Sequence, residues 1–222
     1  MAVTDYKLSS AITNEARVDS DDTGWTDLSN AETDDSNYAT NTITKDSFSN
    51  WLRANTFAMG VPAGATIDGI EVQIKHDDSS PTSEPFLLDS ALYLRKVTTG
   101  QVGDNYANTV DQWDYETPET FTYGGSTDKW GTTWSVADVN NTGFGLDFAA
   151  LSSGAESDHT ADIYFVKIRV YYTASGGSET NMQINIGDTF KDVDALQINI
   201  GDSWKAVTSV KQNIGDSWKD VF

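Results

Sequence analysis

Polar and apolar residues alternate along several short segments of this chain, and that spacing is typical of β-strands with one buried face. The clearest segments are residues 57–61, 70–75, 88–95, 144–148 and 164–172. Within 88–95 the pattern predicts a core face made by Leu88, Ser90, Leu92 and Leu94, with Tyr93 and Arg95 outside. Within 164–172 it predicts the even-numbered residues inside and Lys167 and Arg169 outside.

Helix signals are scarce by comparison. Ser135, with Asp138 three residues later, predicts one capped helical turn. Short strands joined by long polar connections favour an all-β fold. We predict an antiparallel jelly-roll-like β-sandwich followed by a small C-terminal β-hairpin repeat domain.

Composition divides the chain into four parts. Residues 1–50 are polar with scattered aromatic side chains, and they are predicted to form a largely irregular arm, with a short strand or two, packed on the body. Residues 51–174 are predicted to form the β-sandwich. Residues 175–180 are rich in glycine and serine and predict a flexible linker. Residues 181–222 contain three repeats.

The repeats have a period of 14 residues, marked by Gly187, Gly201 and Gly215. Each is predicted to be a hairpin that turns at its Gly-Asp pair, and together they would form a six-stranded meander. A two-residue loop would place Asn199 opposite Trp204, whereas a three-residue loop would place Ile200 there. We favour the three-residue loop because it gathers the apolar residues on one face.

Hairpins this small bury little surface, and such domains usually need disulfides, metals or oligomerisation. The chain has no cysteine and the repeats have no histidine. We therefore predict that the repeats of several chains pack together, most simply as a homotrimer, and the alternative is a small sheet packed on the body of its own chain. The predicted oligomerisation residues are Ile184, Ile186, Phe190, Ile198, Ile200, Trp204, Ile214 and Trp218.

Charge restricts the class of partner. The formal net charge is −20, and residues 1–180 carry 28 acidic and 10 basic side chains. An acidic body disfavours nucleic acid and anionic membranes as partners. The N-terminus shows no secretory pattern and no apolar run is long enough to span a membrane, so assembly in a cytoplasm is expected.

The sequence predicts no catalytic residue, no cofactor and no metal site. Its two histidines, His76 and His159, stand beside acidic residues and are predicted to be solvated surface groups. Structural calcium in an acidic loop is an open alternative, and the candidate segments are residues 19–24, 34–35 and 77–78. Carboxylate pairs that could hydrolyse glycosides are too numerous among 34 acidic residues to be informative.

Glycan binding is the more specific alternative, because aromatic rings in long loops can stack on sugars. The candidates occur in loops 98–119 and 124–135, and they are Trp113, Tyr115, Trp130 and Trp134. The competing interpretation is that these rings pin the loops onto the sandwich.

Several segments resemble a known family. The runs 61–75, 122–134 and 141–145, with the strand before Tyr171-Tyr172-Thr173, resemble a β-sandwich domain of tailed-phage virion proteins. The repeated Ile-Gly-Asp-Ser-Trp-Lys is similar to terminal repeats of phage fibre and appendage proteins.

The resemblance implies a non-enzymatic structural virion protein, displayed on the particle surface as a head decoration, fibre or tail appendage. Its expected partners are its own copies and other virion proteins, and its expected location is the virion, after assembly in the host cytoplasm. The alternative is a receptor- or glycan-binding module of a tail fibre that contacts host surface glycan. A glycan-degrading enzyme is the third hypothesis.

Overall fold

The structure is a computed structural model of the chain. It describes residues 1–80, 86–154 and 157–175, and the backbone of six short strands within 176–222. The chain divides into a first unit, Met1–Ala174, and a second unit, Ser175–Phe222. Each unit is described by itself.

In its described part, the first unit contains eleven strands and two short helical segments. One is a 3-10 helix, Leu28–Glu32, and the other is α1, Val136–Val139. The strands are β1 (Ala2–Val3), β2 (Lys7–Leu8), β3 (Ala11–Glu15), β4 (Ala39–Ile43), β5 (Trp51–Asn55), β6 (Thr66–Asp78), β7 (Leu87–Lys96), β8 (Gly100–Val102), β9 (Glu119–Gly124), β10 (Gly145–Ser152) and β11 (His159–Thr173).

These strands form two antiparallel sheets that enclose one hydrophobic core. In the six-stranded sheet, β11 pairs with β6 on one side and with the short strands β1, β2 and β4 on the other, and β9 extends the sheet beyond β6. The five-stranded sheet has the order β3-β5-β10-β7-β8. The predicted all-β, jelly-roll-like sandwich is confirmed.

The predicted arm at residues 1–50 contains more strands than the one or two that we expected. This segment supplies β1, β2 and β4 to the six-stranded sheet and β3 to the five-stranded sheet. Ala39 and Ile43 on β4 are fully buried. These strands are two to five residues long, too short for a periodic pattern to reveal them.

A buried segment at Phe57, Met59 and Val61 was predicted as a strand and is not one. All three side chains lie in the core. The residue that precedes each of them, Thr56, Ala58 or Gly60, has a positive φ angle, of 60°, 50° and 68° respectively. A left-handed backbone at every second residue is incompatible with a strand, yet it still directs alternate side chains to the same side.

Two bulges change which side chains face the core. In β7 the register against β10 shifts around Ser90, so Leu87 and Asp89 are buried instead of the predicted Leu88 and Ser90. In β11 the register against β6 shifts at Tyr164, which is therefore only half-buried although it was predicted inside. One inserted residue reverses the two faces of a strand, and a regular pattern cannot show this.

The predicted cap at Ser135 is confirmed. The Ser135 hydroxyl accepts from the Asp138 backbone N–H, and the Asp138 carboxylate accepts from the Ser135 N–H, at 3.1 and 2.9 Å. This reciprocal pair starts the single turn of α1.

The second unit contains three hairpins in its described backbone. They pair β12 (Gln183–Asn185) with β13 (Phe190–Asp192), β14 (Gln197–Ile200) with β15 (Ser203–Ala206), and β16 (Lys211–Asn213) with β17 (Trp218–Asp220). Each pair is a separate two-stranded sheet, so the predicted continuous meander is not seen among the described strands.

The register of these hairpins corrects our preferred turn. Asn199 lies opposite Trp204, and Ile200 opposite Ser203, which corresponds to the two-residue alternative. The same register recurs in the other repeats, where Asn185 opposes Phe190 and Asn213 opposes Trp218. The side chains of all eight predicted oligomerisation residues lie outside the described part of the chain, so that prediction stays a prediction.

Gly145 at the start of β10 is required by a close backbone approach. A Cβ atom there would lie 1.9 Å from the carbonyl oxygen of Ala54 on β5. We expect Gly145→Ala to lower the free energy of unfolding by about 1–3 kcal/mol, because the two central strands must separate. Urea denaturation measures this change. The matched control is Gly125→Ala, where the added methyl meets nothing within 4 Å, and a similar loss in both variants would contradict the explanation.

Candidate functional site

The aromatic residues predicted to bind glycan are mostly buried. Trp113, Trp130 and Trp134 are 1%, 0% and 8% exposed. Tyr115 is half-buried beside an isolated bridge to Asp78. The three tryptophan faces are therefore not available for stacking on a sugar, and the loop-packing interpretation is correct for them.

Trp113 shows how one ring holds a long loop. Its backbone N–H donates to the Leu87 carbonyl at 2.9 Å, and its indole N–H donates to the Asp89 carboxylate at 3.0 Å. Its ring stacks on His76 with centroids 3.8 Å apart. A large apolar ring with one satisfied polar atom anchors a loop efficiently.

Trp130 and Trp134 anchor the second loop in the same way. The Trp130 indole N–H donates to the Ile70 carbonyl at 3.0 Å, and its ring stacks on Tyr106 at 4.2 Å. The Trp134 indole N–H donates to the Lys129 carbonyl at 3.0 Å, and its ring meets Phe144 edge-on.

Both histidines are buried, so the prediction of solvated surface histidines is wrong. His76 lies between the rings of Trp113 and Phe121. His159 donates through Nδ1 to the Asp78 carboxylate at 2.8 Å, and the Ser80 hydroxyl lies 2.9 Å from the same nitrogen. The bulge in β11 and the length of β6 place the ends of these strands inside the sandwich. The sequence analysis expected these ends to be exposed.

Ser80, His159 and Asp78 do not form a catalytic relay. A relay needs the serine on one imidazole nitrogen and the carboxylate on the other. Here both residues contact Nδ1, and Nε2 is buried without a partner among the described residues. The Ser80 hydroxyl also accepts from the Thr160 backbone N–H at 2.8 Å. The arrangement links the ends of β6 and β11.

Burial also shifts the pKa values in the core. Desolvation lowers the pKa of His76 to about 3, so this ring is neutral. Desolvation raises the pKa of Asp89, while hydrogen bonds from Tyr123, the Asn108 backbone and Trp113 oppose the rise. His76 and Asp89 thus form part of an internal polar cluster that packs the sandwich.

A different surface collects the polar and aromatic side chains that remain accessible. It is the outer face of the five-stranded sheet, on the side opposite the core residues Leu52, Leu94 and Leu146. We call it the arginine–aromatic face, and its members are Arg17, Trp51, Arg53, Tyr93, Arg95, Gln101 and Asp147.

Asp147 is the centre of this face. Its carboxylate accepts from Arg53 Nε at 2.9 Å, Arg95 Nη1 at 2.5 Å and Gln101 Nε2 at 2.7 Å. Strand pairing places Arg53 and Tyr93 directly on either side of it. The carboxylate is fully buried beneath side chains that are themselves partly exposed, so it orients their remaining N–H groups.

Trp51 and Arg17 close one end of the face. The Arg17 guanidinium lies over the Trp51 ring, 4.9 Å from its centroid, and donates to the Ser90 hydroxyl at 2.9 Å. Trp51 is half-buried, as is Tyr93 across the sheet. The central strand β10 lies between them and carries the small residues Gly145 and Ala149 on this face. The larger side chains of β5 and β7 therefore project beyond it on both sides.

The charge of the face differs from that of the chain. Three of the four arginines lie here, and they are paired with Asp147, Glu15 and Asp19. The face is therefore close to neutral on a protein of net charge −20. Planar rings beside fixed N–H donors can stack on a sugar ring and bond its hydroxyls.

The sequence contained a weak indication of this face. Tyr93 and Arg95 were predicted outside, and Asp147 alternates with two apolar residues. The members come from four separated parts of the chain, and only strand order brings them together.

Comparisons with known proteins give distant similarities. No protein-family model and no curated protein matches the chain. A xylan-binding domain of Paenibacillus barcinonensis Xyn10C is 11% identical, with a TM-score of 0.39, over 78% of this chain and 97% of its own. The xylan-binding module CBM15 gives 10% identity and the same TM-score over 78% and 97%. The N-terminal cellulose-binding domain of Cellulomonas fimi β-1,4-glucanase C gives 9% and 0.32 over 76% and 87%. These values are too low to indicate a ligand.

The described residues lack two further features. None of their helices has the length and apolar character needed to cross a membrane. No group of three or more His, Cys, Asp and Glu side chains in these ranges is placed to hold a metal ion.

The neutral state of His76 predicts a pH dependence of stability. Its pKa in the folded protein, about 3, lies below the ordinary 6.5. As the pH decreases, His76 is therefore protonated in the unfolded chain before it is protonated in the folded protein. The contribution of this group to the free energy of unfolding is fully present above pH 6.5 and is lost as the pH decreases toward 3. The slope from this group approaches about 1.4 kcal/mol per pH unit. We expect His76→Leu to remove that slope in urea titrations, whereas parallel pH curves for both proteins would contradict the assignment.

Proposed function

We propose that this protein is a non-catalytic glycan-binding module whose binding surface is the arginine–aromatic face. The observation that carries the proposal is the cross-strand row Arg53–Asp147–Tyr93, with Trp51 one row away. This row combines aromatic rings with oriented hydrogen-bond donors on rigid strands. The glycan-binding hypothesis from the sequence is kept, with these residues in place of the buried loop tryptophans.

Each member has a role in this proposal. Trp51 and Tyr93 present ring faces to the apolar side of a sugar. Arg53, Arg95 and Gln101 donate to sugar hydroxyls through the N–H groups that Asp147 does not use. Because Asp147 fixes these side chains in advance, little side-chain freedom is lost on binding.

Affinity electrophoresis through soluble polysaccharides tests the proposal. Gels containing xylan, hydroxyethyl-cellulose or alginate cover neutral and uronic-acid chains. We expect retardation by at least one, and about tenfold weaker binding for Trp51→Ala and Tyr93→Ala, which corresponds to about 1.4 kcal/mol each.

The control is Tyr38→Ala. Tyr38 is an aromatic side chain that is 40% exposed and packs on Tyr164 of the other sheet. This variant should bind like the wild type. Absence of retardation in a broad polysaccharide panel, or equal binding by all variants, would overturn the proposal.

The second candidate function is the virion structural role that the sequence resemblance implies, and the C-terminal hairpins favour the association between copies that this role needs. Their described strands form three isolated two-stranded sheets, and such hairpins are marginal in water. On this hypothesis the repeats of several copies associate and display the acidic body on a particle. The two functions are compatible, since a displayed module can also bind glycan.

Light scattering distinguishes the role of the repeats. The full chain is expected to be a trimer, and a chain that ends at Ser175 is expected to be a monomer, because the repeats provide the contacts between copies. If the full chain and the shortened chain were both monomers, assembly through the repeats would be contradicted.

A further inference from the structure

Two carboxylates meet on the outer face of the six-stranded sheet, far in sequence from each other. Asp77 on β6 and Asp162 on β11 are directly opposed cross-strand partners. Their neighbours Ile163 and His76 point into the core, so both carboxylates project from the opposite face. Side chains at directly opposed positions have Cβ atoms only about 5 Å apart.

Both carboxylates are removed from solvent although they lie on the outer face. Asp77 is 2% exposed and Asp162 is 1% exposed. The Oδ1 atom of each is buried and has no hydrogen-bond partner among the described residues. Two unpaired acceptors side by side in a buried position are costly unless a positive group joins them.

The described side chains supply no such positive group. No ion pair within the described ranges includes either aspartate. The nearest candidate on this face, Lys75, places its ammonium over the Tyr164 ring, 5.2 Å from the centroid. Two buried carboxylates without a basic partner among the described residues therefore point to a bound positive group at this position.

The surrounding atoms are oxygens. The Tyr164 hydroxyl donates to Asp77 Oδ2 at 3.3 Å. The hydroxyls of Ser79 and Thr40 lie beside Asp162, and Thr40 is its cross-strand partner on β4. Carboxylates and neutral oxygens, without sulfur or imidazole, are the ligand set of hard divalent cations.

We propose that Asp77 and Asp162 form a binding site for a hard divalent cation, with calcium as the best fit. Two carboxylates supply the charge, and hydroxyls, carbonyls and water complete the shell, which calcium accepts because its coordination is flexible. The sequence analysis left calcium binding at residues 77–78 open, but it placed these residues in an exposed loop.

The site has a structural consequence. The β6–β11 pair is the longest in the six-stranded sheet, and the cation joins its two strands at the end next to β4. Calcium then stabilises the sandwich by relieving repulsion between the two carboxylates.

Thermal unfolding of the full chain tests the site. Protein stripped with EDTA is melted at about pH 8, with and without millimolar calcium chloride at constant ionic strength. We expect calcium to raise the Tm by about 3 °C or more. We expect no increase in Asp77→Asn or Asp162→Asn, and both variants should melt above the stripped wild type, because a like charge is gone.

The matched control is Asp21→Asn, which removes an exposed carboxylate from the acidic loop at residues 19–24. It should keep the full calcium response. A wild-type Tm that calcium does not change, or an increase that survives in both aspartate variants, would overturn the proposal. If a lower pH raised the Tm and calcium did not, the pair would hold a proton instead of a cation.

Discussion

The pairing of β6 with β11 is the constraint on which the rest of the sandwich depends. These strands contain 13 and 15 residues, and their register determines which side of the sheet each residue occupies. It places Ile70, Val72 and Ile74 in the core. By the same alternation it places Asp77 and Asp162 together on the outer side, at the cation site that we propose.

The protein uses its aromatic rings in two ways. The loop tryptophans are buried and each donates its indole N–H to a fixed acceptor, so they set loop conformation. Trp51 and Tyr93 stand on strands and keep part of their surface accessible. A binding surface on strands is held more rigidly than one on loops, because neighbouring strands fix its side chains.

Polar groups inside the sandwich favour one conformation of the chain, although burying them costs free energy. Asp89 accepts from Trp113, from Tyr123 and from the backbone of Asn108, which satisfies a carboxylate beside a neutral histidine. Asp78, Ser80 and His159 form a comparable cluster where β6 and β11 begin to separate. These hydrogen bonds form only when the loops and strand ends are correctly placed, so these clusters favour one arrangement of the loops over others.

The sequence by itself determined the fold class, most long strands, the helix cap at Ser135 and the hairpin repeats, because these depend on local spacing and local hydrogen bonds. Only the tertiary structure decided the strands within residues 1–50, the bulges at Ser90 and Tyr164, and the burial of Trp113. It also decided that Arg53, Tyr93 and Asp147 form one surface and that Asp77 meets Asp162. The physical reason is that strand order and register join residues that are distant in the chain, and an inserted residue reverses a strand's faces without leaving a periodic trace.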